Sequence, residues 1–550
     1  PSRQYRRWHS PSGHRPPYTP GTIALIANPV VGQRSDNISL IPARGYERVS
    51  VKDPGGASRR DVLRKLRMQF VQGDIEVERL AKEAVSEPQR FRGIAGSGKT
   101  HILCQKAAYM HCEQPDLRIV YTFFTRSLYE YIEYWVQFYC RMYGGEFDPE
   151  NPHSTLKILH AWGSAGRTGF YRMLCDHYDT DFFSPEDLRG DRHQTPNELF
   201  ARACKSFLQI QESRNLPLDP LFDAVLIDEG QDLVVDREDL LYRGKQPFFW
   251  MAYQSLCPPD PDRPEKRRLI WAYDEYQNTS SIKIPSSREI FGEEFKLQKS
   301  VIMRKCYRTP APVLMAAHAI GMGLFFREGM LAGPTTKAEW NALGYDVEGE
   351  FKSGRQVRIT RPEEYTANIV PDLWKGHLID LQIVDRREEE ASFVARSIQR
   401  DIAVNGLRPE DILVVSLNAR SNAGVRSVAE ELMERGIETY ISSASGRNRL
   451  DIGAKPDTFS EAGCVTVSGI NRVKGNEGNV VYILGFDIIG RNDESIPLRN
   501  SLFVALTRSR AWVTLTGTGR YPIYEEMKTI LEHLQSTGGL TFTYRSRPKV

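Results

Sequence analysis

One segment of the chain has the residue types and the spacing that hold a phosphate group. Residues 93–100 read Gly-Ile-Ala-Gly-Ser-Gly-Lys-Thr, which matches the pattern G-x-x-x-x-G-K-[ST]. In such a loop, glycines let backbone N–H groups face phosphate oxygens, while the lysine reaches the β- and γ-phosphates and the hydroxyl binds Mg²⁺. The residues that we expect to bind these groups are Gly96, Ser97, Gly98, Lys99 and Thr100.

A carboxylate for that Mg²⁺ ion follows an apolar run further along the chain. The segment 222–232 reads Phe-Asp-Ala-Val-Leu-Ile-Asp-Glu-Gly-Gln-Asp, so Asp228 and Glu229 come directly after the apolar residues. A phosphate loop needs such a carboxylate at the end of a neighbouring strand. We expect Asp228 to hold Mg²⁺ through water, and Glu229 to orient or deprotonate the water that attacks the phosphate.

Short apolar runs predict the strands that would position these loops. The strand candidates are 118–124, 222–227 and 268–273, followed by a second series at 412–416, 464–468, 480–484 and 513–516. Such nearly all-apolar runs are typical of parallel strands that are buried on both faces. Helical stretches alternate with them, which favours an α/β fold with two parallel-sheet domains in tandem.

The chain length and its changes in composition predict the domain boundaries. With 550 residues, the chain exceeds the roughly 250–300 residues that one core supports. We predict a basic arm at 1–60, a first domain at 61–320 with a helical insertion at about 126–220, a linker at 321–380 and a second domain at 381–550.

Composition narrows the class of protein. Hydrophobic residues make up 40% and charged residues 26%, and no run approaches the roughly 18 apolar residues of a membrane span. The eight cysteines form no C-x-x-C pair, which disfavours a zinc site and fits the reducing cytoplasm. Residues 1–60 contain ten Lys/Arg against three Asp/Glu. This arm is either a contact for a polyanion or a solvated tail.

Further motifs occur in a distinctive order along the chain. They are Thr122-Phe-Phe-Thr-Arg126, Leu159-His-Ala-Trp162, Trp271-Ala-Tyr-Asp-Glu-Tyr-Gln277, Arg304-Lys-Cys-Tyr-Arg-Thr-Pro310, Val473-Lys-Gly-Asn-Glu477 and Leu502-Phe-Val-Ala-Leu-Thr-Arg508. With the phosphate loop and the acidic segment, this series resembles the superfamily 1 helicases of the UvrD/Rep/PcrA type over about residues 70–520. The resemblance implies two RecA-like P-loop NTPase domains that bind ATP and Mg²⁺ in the cleft between them.

The resemblance also implies roles around the nucleotide. Gln277 corresponds to a polar sensor of the γ-phosphate, and Arg308 and Arg508 to two arginines that approach that phosphate from the second domain. Such cations stabilise the charge that develops on the transferred phosphoryl group. Tyr307 corresponds to the residue that stacks on the adenine and Glu477 to the carboxylate that contacts the ribose, while Gly475 allows close approach of the backbone.

A nucleic-acid contact is implied by other residues. Phe123 and Phe124 follow a strand where the family stacks bases of single-stranded DNA. His160 and Trp162 lie in a segment that is similar to another DNA contact of the family, and Asn471 stands where the family usually has a histidine. For Tyr131, by contrast, we expect core packing of the insertion.

The sequence also departs from the family pattern. Val77 lies near the place of the glutamine that reads adenine, and His101 stands where many relatives have an arginine against the base. The span from Arg308 to Lys474 is too short for a full second-domain insertion, so we expect a compact motor with a reduced 2B element.

Three functions remain open at this point. The resemblance favours an ATP-driven translocase or helicase that moves 3′→5′ on single-stranded DNA, with RNA as an alternative strand. A sensor ATPase subunit that licenses a partner nuclease or other effector, as in phage defence, is the second hypothesis. A P-loop enzyme without motor activity, such as a kinase, is the third, and the paired arginines argue against it.

Overall fold

The computed structural model describes residues 58–70, 74–164, 166–188, 194–274, 286–292, 299–419, 421–442 and 457–545. All of them fall within the compact unit Ile41–Val550. The predicted basic arm, apart from residues 58–60, and Gln277 lie outside the described residues.

Strands alternate with helices along most of the described chain. The strands are β1 (Gln89–Gly93), β2 (Ile119–Phe123), β3 (Leu156–His160), β4 (Ala224–Ile227), β5 (Arg268–Asp274), β6 (Lys299–Met303), β7 (Asp346–Gly349), β8 (Gln356–Thr360), β9 (Ile379–Val384), β10 (Ile412–Ser416), β11 (Thr439–Ser442), β12 (Val465–Gly469), β13 (Gly478–Leu484), β14 (Ser509–Thr518) and β15 (Leu540–Thr543).

The helices between these strands cover the sheets. They are α1 (Arg59–Phe70), α2 (Ile75–Lys82), α3 (Lys99–Glu113), α4 (Tyr129–Met142), α5 (Phe170–His177), α6 (Pro196–Ser213), α7 (Pro247–Gln254), α8 (Ser287–Phe291), α9 (Ala311–Met322), α10 (Lys337–Ala342), α11 (Val370–Leu373), α12 (Arg387–Ala403), α13 (Ala423–Glu434), α14 (Phe486–Gly490), α15 (Ile496–Leu506) and α16 (Pro522–Thr537).

Two six-stranded parallel sheets organise the described residues. The strand order is β3-β2-β4-β5-β1-β6 in the first sheet and β11-β12-β10-β13-β14-β9 in the second. The predicted α/β fold with parallel sheets is therefore confirmed. Crossover helices keep all strands of each sheet parallel, so the carboxyl ends of the strands meet at one edge, where ligands usually bind.

Apolar side chains cover the first sheet on both faces, as its sequence predicts. In β4, Ala224 and Leu226 belong to one buried cluster, whereas Val225 and Ile227 belong to another on the opposite face. This two-sided burial explains why β4 has no polar position before Asp228. The strand therefore places its first carboxylates beyond its end, at the edge of the sheet.

Two segments are arranged in ways that the sequence did not predict. Within the range predicted as a helical insertion, Leu156–His160 forms an edge strand of the first sheet. Helix α1 joins the buried cluster of the second sheet through Val62, Leu63 and Leu66, and Arg59 forms an ion pair with Asp401. The described chain therefore starts against the second sheet before it enters the first.

The segment 321–380 adds a smaller sheet. Its strand β8 pairs antiparallel with both β7 and β15, in the order β15-β8-β7. Among the helices that the structure describes, none has both the length and the apolar character needed to cross a membrane.

Candidate functional site

The phosphate loop connects β1 to the start of α3. Gly96 and Gly98 have positive φ angles of 74° and 86°, which side chains other than glycine rarely adopt. The Lys99 ammonium points back into the loop and donates to the carbonyl oxygens of Gly93 at 3.2 Å and Ile94 at 2.8 Å. The loop and its lysine therefore form a cradle in which a phosphate could replace these carbonyl contacts.

The carboxylate of Asp228 lies at the end of β4, next to that cradle. It accepts hydrogen bonds from the hydroxyl of Tyr121 and from the N–H of Glu229, both at 2.9 Å, and the neighbouring Thr100 hydroxyl favours its ionised form. Burial and the neighbouring Glu229 carboxylate raise the pKa of Asp228 to about 6. The structure thus brings together Thr100 and Asp228, the two predicted Mg²⁺ ligands.

A third carboxylate, which the sequence analysis did not select, completes the acidic side. Asp274 ends β5, is 3% exposed, and its Oδ2 lies 3.1 Å from Lys99 Nζ. Burial raises its pKa to about 6 even though Lys99 attracts the charged form. Within the described part of the chain, the buried Oδ1 has no hydrogen-bond partner. Gln231 connects the group, because it accepts from the Asp274 N–H at 3.1 Å and donates to Glu229.

The arrangement suits a divalent cation. Mg²⁺ takes oxygen ligands, usually one or two carboxylates together with water and phosphate oxygens. The Thr100 hydroxyl neighbours the Asp228 carboxylate, and the buried Oδ1 of Asp274 is an acceptor without a partner among the described residues. The positive charge of a cation here would also favour the ionised forms of Asp228 and Asp274, and so it would lower the pKa values of both carboxylates.

Arginines approach from the other side of the pocket. Arg508 is 1% exposed and donates to the carbonyl oxygen of Val504 at 2.9 Å. Burial and the neighbouring Arg308 lower its pKa to about 9, while the carboxylates of Glu229 and Asp274 attract its charge. The two predicted arginines therefore lie within electrostatic reach of each other and of the acidic side.

The Glu477 carboxylate is held between two arginines. Arg308 NH1 lies 3.6 Å from it, and Arg510, which the sequence analysis did not select, donates to its other oxygen. Although burial raises the pKa of Glu477, Arg510 and Arg308 bring it below its usual value. The carboxylate that we expected at the ribose is therefore ionised and fixed in position.

The end of the pocket predicted to hold the base is aromatic. The Tyr307 hydroxyl donates to Asp74 Oδ2 at 2.7 Å, and Asp74 also caps the start of α2. His101 lies 3.0 Å from the Tyr131 hydroxyl. Tyr131, which we had interpreted as core packing, lines the same pocket as Tyr307 and His101.

One pocket collects most of the predicted nucleotide contacts. Its lining residues are Gly96, Ser97, Gly98, Lys99, Thr100, His101, Tyr131, Glu229, Asp274, Tyr307, Arg308, Gly475 and Glu477. Asp228 and Arg508 lie beside it, since Thr100 acts electrostatically on Asp228, and Glu229 and Asp274 act on Arg508. Residues that are separated by up to 381 positions thus converge where the two sheets meet.

The predicted nucleic-acid residues are placed differently. Phe123 is fully buried and packs edge-to-face on Tyr129 with ring centroids 4.8 Å apart, and Trp162 is 3% exposed. Neither ring is open to a base in this structure. Phe124 stacks on His160 at 5.7 Å with an interplanar angle of 20°.

His160 serves the local fold, and Asn471 lies on the surface. The Nδ1 atom of His160 accepts from the N–H groups of Trp162 and Gly163, and its Nε2 lies 2.6 Å from the carbonyl oxygen of Phe124. Burial lowers the pKa of His160 to about 4, so the ring is neutral. Asn471 is exposed, and its amide donates to the Ala419 carbonyl at 3.4 Å.

The residues that sequence reasoning missed had only weak local signals. Asp274 follows a predicted apolar strand, just as Asp228 does, and that shared position could have identified it. Arg510 is two residues beyond Arg508, and Tyr131 lies in an aromatic-rich helix. Nothing in the sequence alone separates those two from surface and core residues.

Comparisons with known proteins add little information about function to this geometry. No family model matches the chain, and no curated protein matches it. Among solved structures, one similar chain is the C-terminal domain of a possible DNA helicase from Lactobacillus plantarum. It is 16% identical, with a TM-score of 0.21 and an alignment that covers 30% of this chain and 88% of that one.

Proposed function

We propose that the chain hydrolyses ATP between two RecA-like domains and uses the reaction to translocate 3′→5′ on single-stranded nucleic acid, with DNA as the favoured strand. The observation that carries the proposal is one pocket with a phosphate-loop lysine and a strand-end glutamate on one side and arginines on the other. This combination is what phosphoryl transfer to water requires.

Each side of the pocket has its own task in this reaction. Lys99 releases its loop carbonyls and donates to the β- and γ-phosphate oxygens. Glu229 accepts a proton from the attacking water, and its hydrogen bond from Gln231 fixes its orientation. Arg308 and Arg508 stabilise the charge on the γ-phosphoryl group in the transition state. Mg²⁺ held by Thr100 and Asp228 would neutralise phosphate charge when it is bound.

Contacts between the two sides support a coupling between hydrolysis and movement. Lys474 forms an ion pair with Asp232 at 2.7 Å, and the Asn476 amide donates to the Ser127 hydroxyl at 3.0 Å. Both pairs join a segment near Glu477 to the first-sheet side of the pocket. If the cleft opens between turnovers, the arginines and these contacts must reassemble on closure, and hydrolysis would then depend on that movement.

Glu229→Gln separates the chemical step from binding. We expect kcat for ATP to fall by about 10²–10⁴-fold, because the general base is lost while the phosphate cradle is intact. The dissociation constant of a fluorescent ATP analogue should change by less than about threefold. Glu434→Gln, at the exposed end of α13, is the matched control and should leave both quantities unchanged. Wild-type turnover by Glu229→Gln would contradict the proposal.

A sensor ATPase that licenses a partner nuclease or effector is the second candidate. It is favoured by the burial of Phe123 and Trp162, two of the aromatic side chains that a translocating motor would stack against bases. Strand displacement on 3′- and 5′-tailed duplexes distinguishes the two candidates. A motor displaces the strand from one tail only, whereas a sensor hydrolyses ATP without displacing either strand.

A further inference from the structure

Two arginines of the first-sheet side converge on one carboxylate of the second-sheet side. The Arg126 Nε atom lies 2.8 Å from Asp457 Oδ1, and Arg167 NH1 lies 3.2 Å from Asp457 Oδ2. The three side chains are 36%, 36% and 25% exposed, so solvent reaches the cluster. Partial burial raises the pKa of Asp457, yet the two arginines bring it below its usual value, and the carboxylate is ionised.

Other contacts fix the Arg167 guanidinium and the backbone next to Asp457 in place. The Arg167 guanidinium lies 3.4 Å from the centre of the Tyr129 ring and also donates to Glu133 at 2.6 Å. A third cation, Arg472, donates to the backbone carbonyl of Thr458, the residue after Asp457, at 2.8 Å. The cluster is therefore a preorganised binding site for an anion, in which the present anion is a carboxylate of the chain itself.

The cluster has residues of the predicted nucleic-acid contact as its neighbours in the sequence. Arg126 follows Phe124 by two residues, and both Arg126 and Asp457 act electrostatically on His160. On the other half, Arg472 directly follows Asn471. A strand that contacts both Phe124 and Asn471 would carry its backbone across these arginines.

We propose that Arg126 and Arg167 form a binding site for a nucleic-acid backbone phosphate, and that Asp457 occupies this site until the strand displaces it. Planar guanidinium groups bind carboxylates and phosphates with the same fork geometry. A bound phosphate releases Asp457, which removes a contact across the cleft. The carboxylate thus competes with the strand for the two arginines.

This inference rests on the proposed function, because it requires that the chain binds nucleic acid. The test measures the affinity of the full chain for fluorescent oligo(dT) and oligo(U) by anisotropy over a series of salt concentrations. Asp457→Asn keeps the side-chain shape but removes the competing charge. We expect it to bind about tenfold tighter, which corresponds to about 1.4 kcal/mol. Its log–log salt slope should be steeper than that of the wild type by at most about 0.7, because in the wild type the released Asp457 carboxylate recaptures a cation that the bound phosphate gives up.

Two further variants separate competition from a general effect of charge. Asp223→Asn removes a carboxylate that pairs with Arg118 before the start of β4, away from the cluster, and it should bind the strand as the wild type does. In a chain that carries Arg126→Gln and Arg167→Gln, Asp457→Asn should give no gain in affinity for the strand, because the arginines for which Asp457 and the phosphate compete are absent. Thermal unfolding of each variant checks that it is folded.

The outcomes for the inference and for the proposed function differ. If the wild type binds oligo(dT) or oligo(U) but Asp457→Asn binds with equal or lower affinity, Asp457 is only a brace between the two sides and the inference is wrong. A gain that persists without the two arginines, or that Asp223→Asn reproduces, also overturns it. If the wild type itself binds neither strand at low salt, the proposed function fails, and the inference fails with it.

Discussion

The crowding of carboxylates around Lys99 predicts that one conservative substitution stabilises the protein. Asp274 is fully buried, lies beside Lys99 and is repelled by Glu229. Asp274→Asn keeps the size of the side chain and removes its negative charge. Lys99 retains its contacts with the carbonyl oxygens of Gly93 and Ile94 and with the Ser97 hydroxyl.

The magnitude follows from the pKa of Asp274. Burial raises this pKa from 3.8 to about 6, and each unit corresponds to about 1.36 kcal/mol. The ionised carboxylate therefore costs about 3 kcal/mol of folding free energy at pH 8. Because the folded-state pKa lies above the unfolded-state value, the cost shrinks as the pH falls through 6 and disappears below about 4. At pH 5 about half of it is left.

Thermal unfolding in EDTA without nucleotide measures this effect. Unfolding entropy is about 2.1 cal/mol/K per residue, so about 3 kcal/mol raises the Tm of a unit of roughly 500 residues by about 3 °C. Asp274→Asn should show this gain at pH 8 and about half of it at pH 5. Asp223→Asn is a control for which we expect a change of opposite sign. Burial raises the pKa of Asp223, but Arg118 brings it below its usual value, so the ionised carboxylate stabilises the fold. Removing this charge should therefore lower the Tm. An Asp274→Asn protein that melts at or below the wild-type Tm at pH 8 would refute the reasoning.

Two substitutions test the geometry of the pocket. Gly96→Ala places a Cβ 2.9 Å from the Cβ of Arg308 at a φ of +74°, so we expect at least about fivefold weaker binding of an ATP analogue, through strain of about 1–3 kcal/mol. Gly436→Ala has a similar φ of +71° with open space around its Cβ, and it should leave binding unchanged. Arg508→Lys keeps the charge but loses the fork that reaches Val504 and Asn476. Its kcat should fall by about 10³-fold with little change in ATP affinity; equal affinity for both glycine variants, or wild-type kcat for Arg508→Lys, would contradict these assignments.

Local patterns in the sequence predicted the parts of the fold that are buried on both faces. The apolar runs of β4 and β10 have no polar interruption, and both are central strands. Strands β1 and β3 alternate between buried and partly exposed residues, so their sequences lack that signal. The positions of β1 and β3 in the first sheet depend on pairing with strands that are distant in the sequence, and no local pattern encodes that pairing.

The residues of the candidate site also fall into those that a local motif predicts and those that it does not. The phosphate loop and the pair Asp228–Glu229 were predictable, because each is a contiguous motif at a strand end. Asp274, Tyr131 and Arg510 join the pocket through contacts made across sheets and helices. Phe123 shows the reverse case, because a residue at the end of a strand can point into the core as readily as towards a ligand.

ATP turnover with and without single-stranded DNA tests the central claim most directly. The account predicts measurable hydrolysis by the wild type, a severalfold increase on addition of oligo(dT), and loss of both in Lys99→Ala, which removes the cation from the phosphate cradle. Turnover that persists in Lys99→Ala, or wild-type turnover that neither single-stranded DNA nor RNA changes, would contradict a nucleic-acid-dependent ATPase at this pocket.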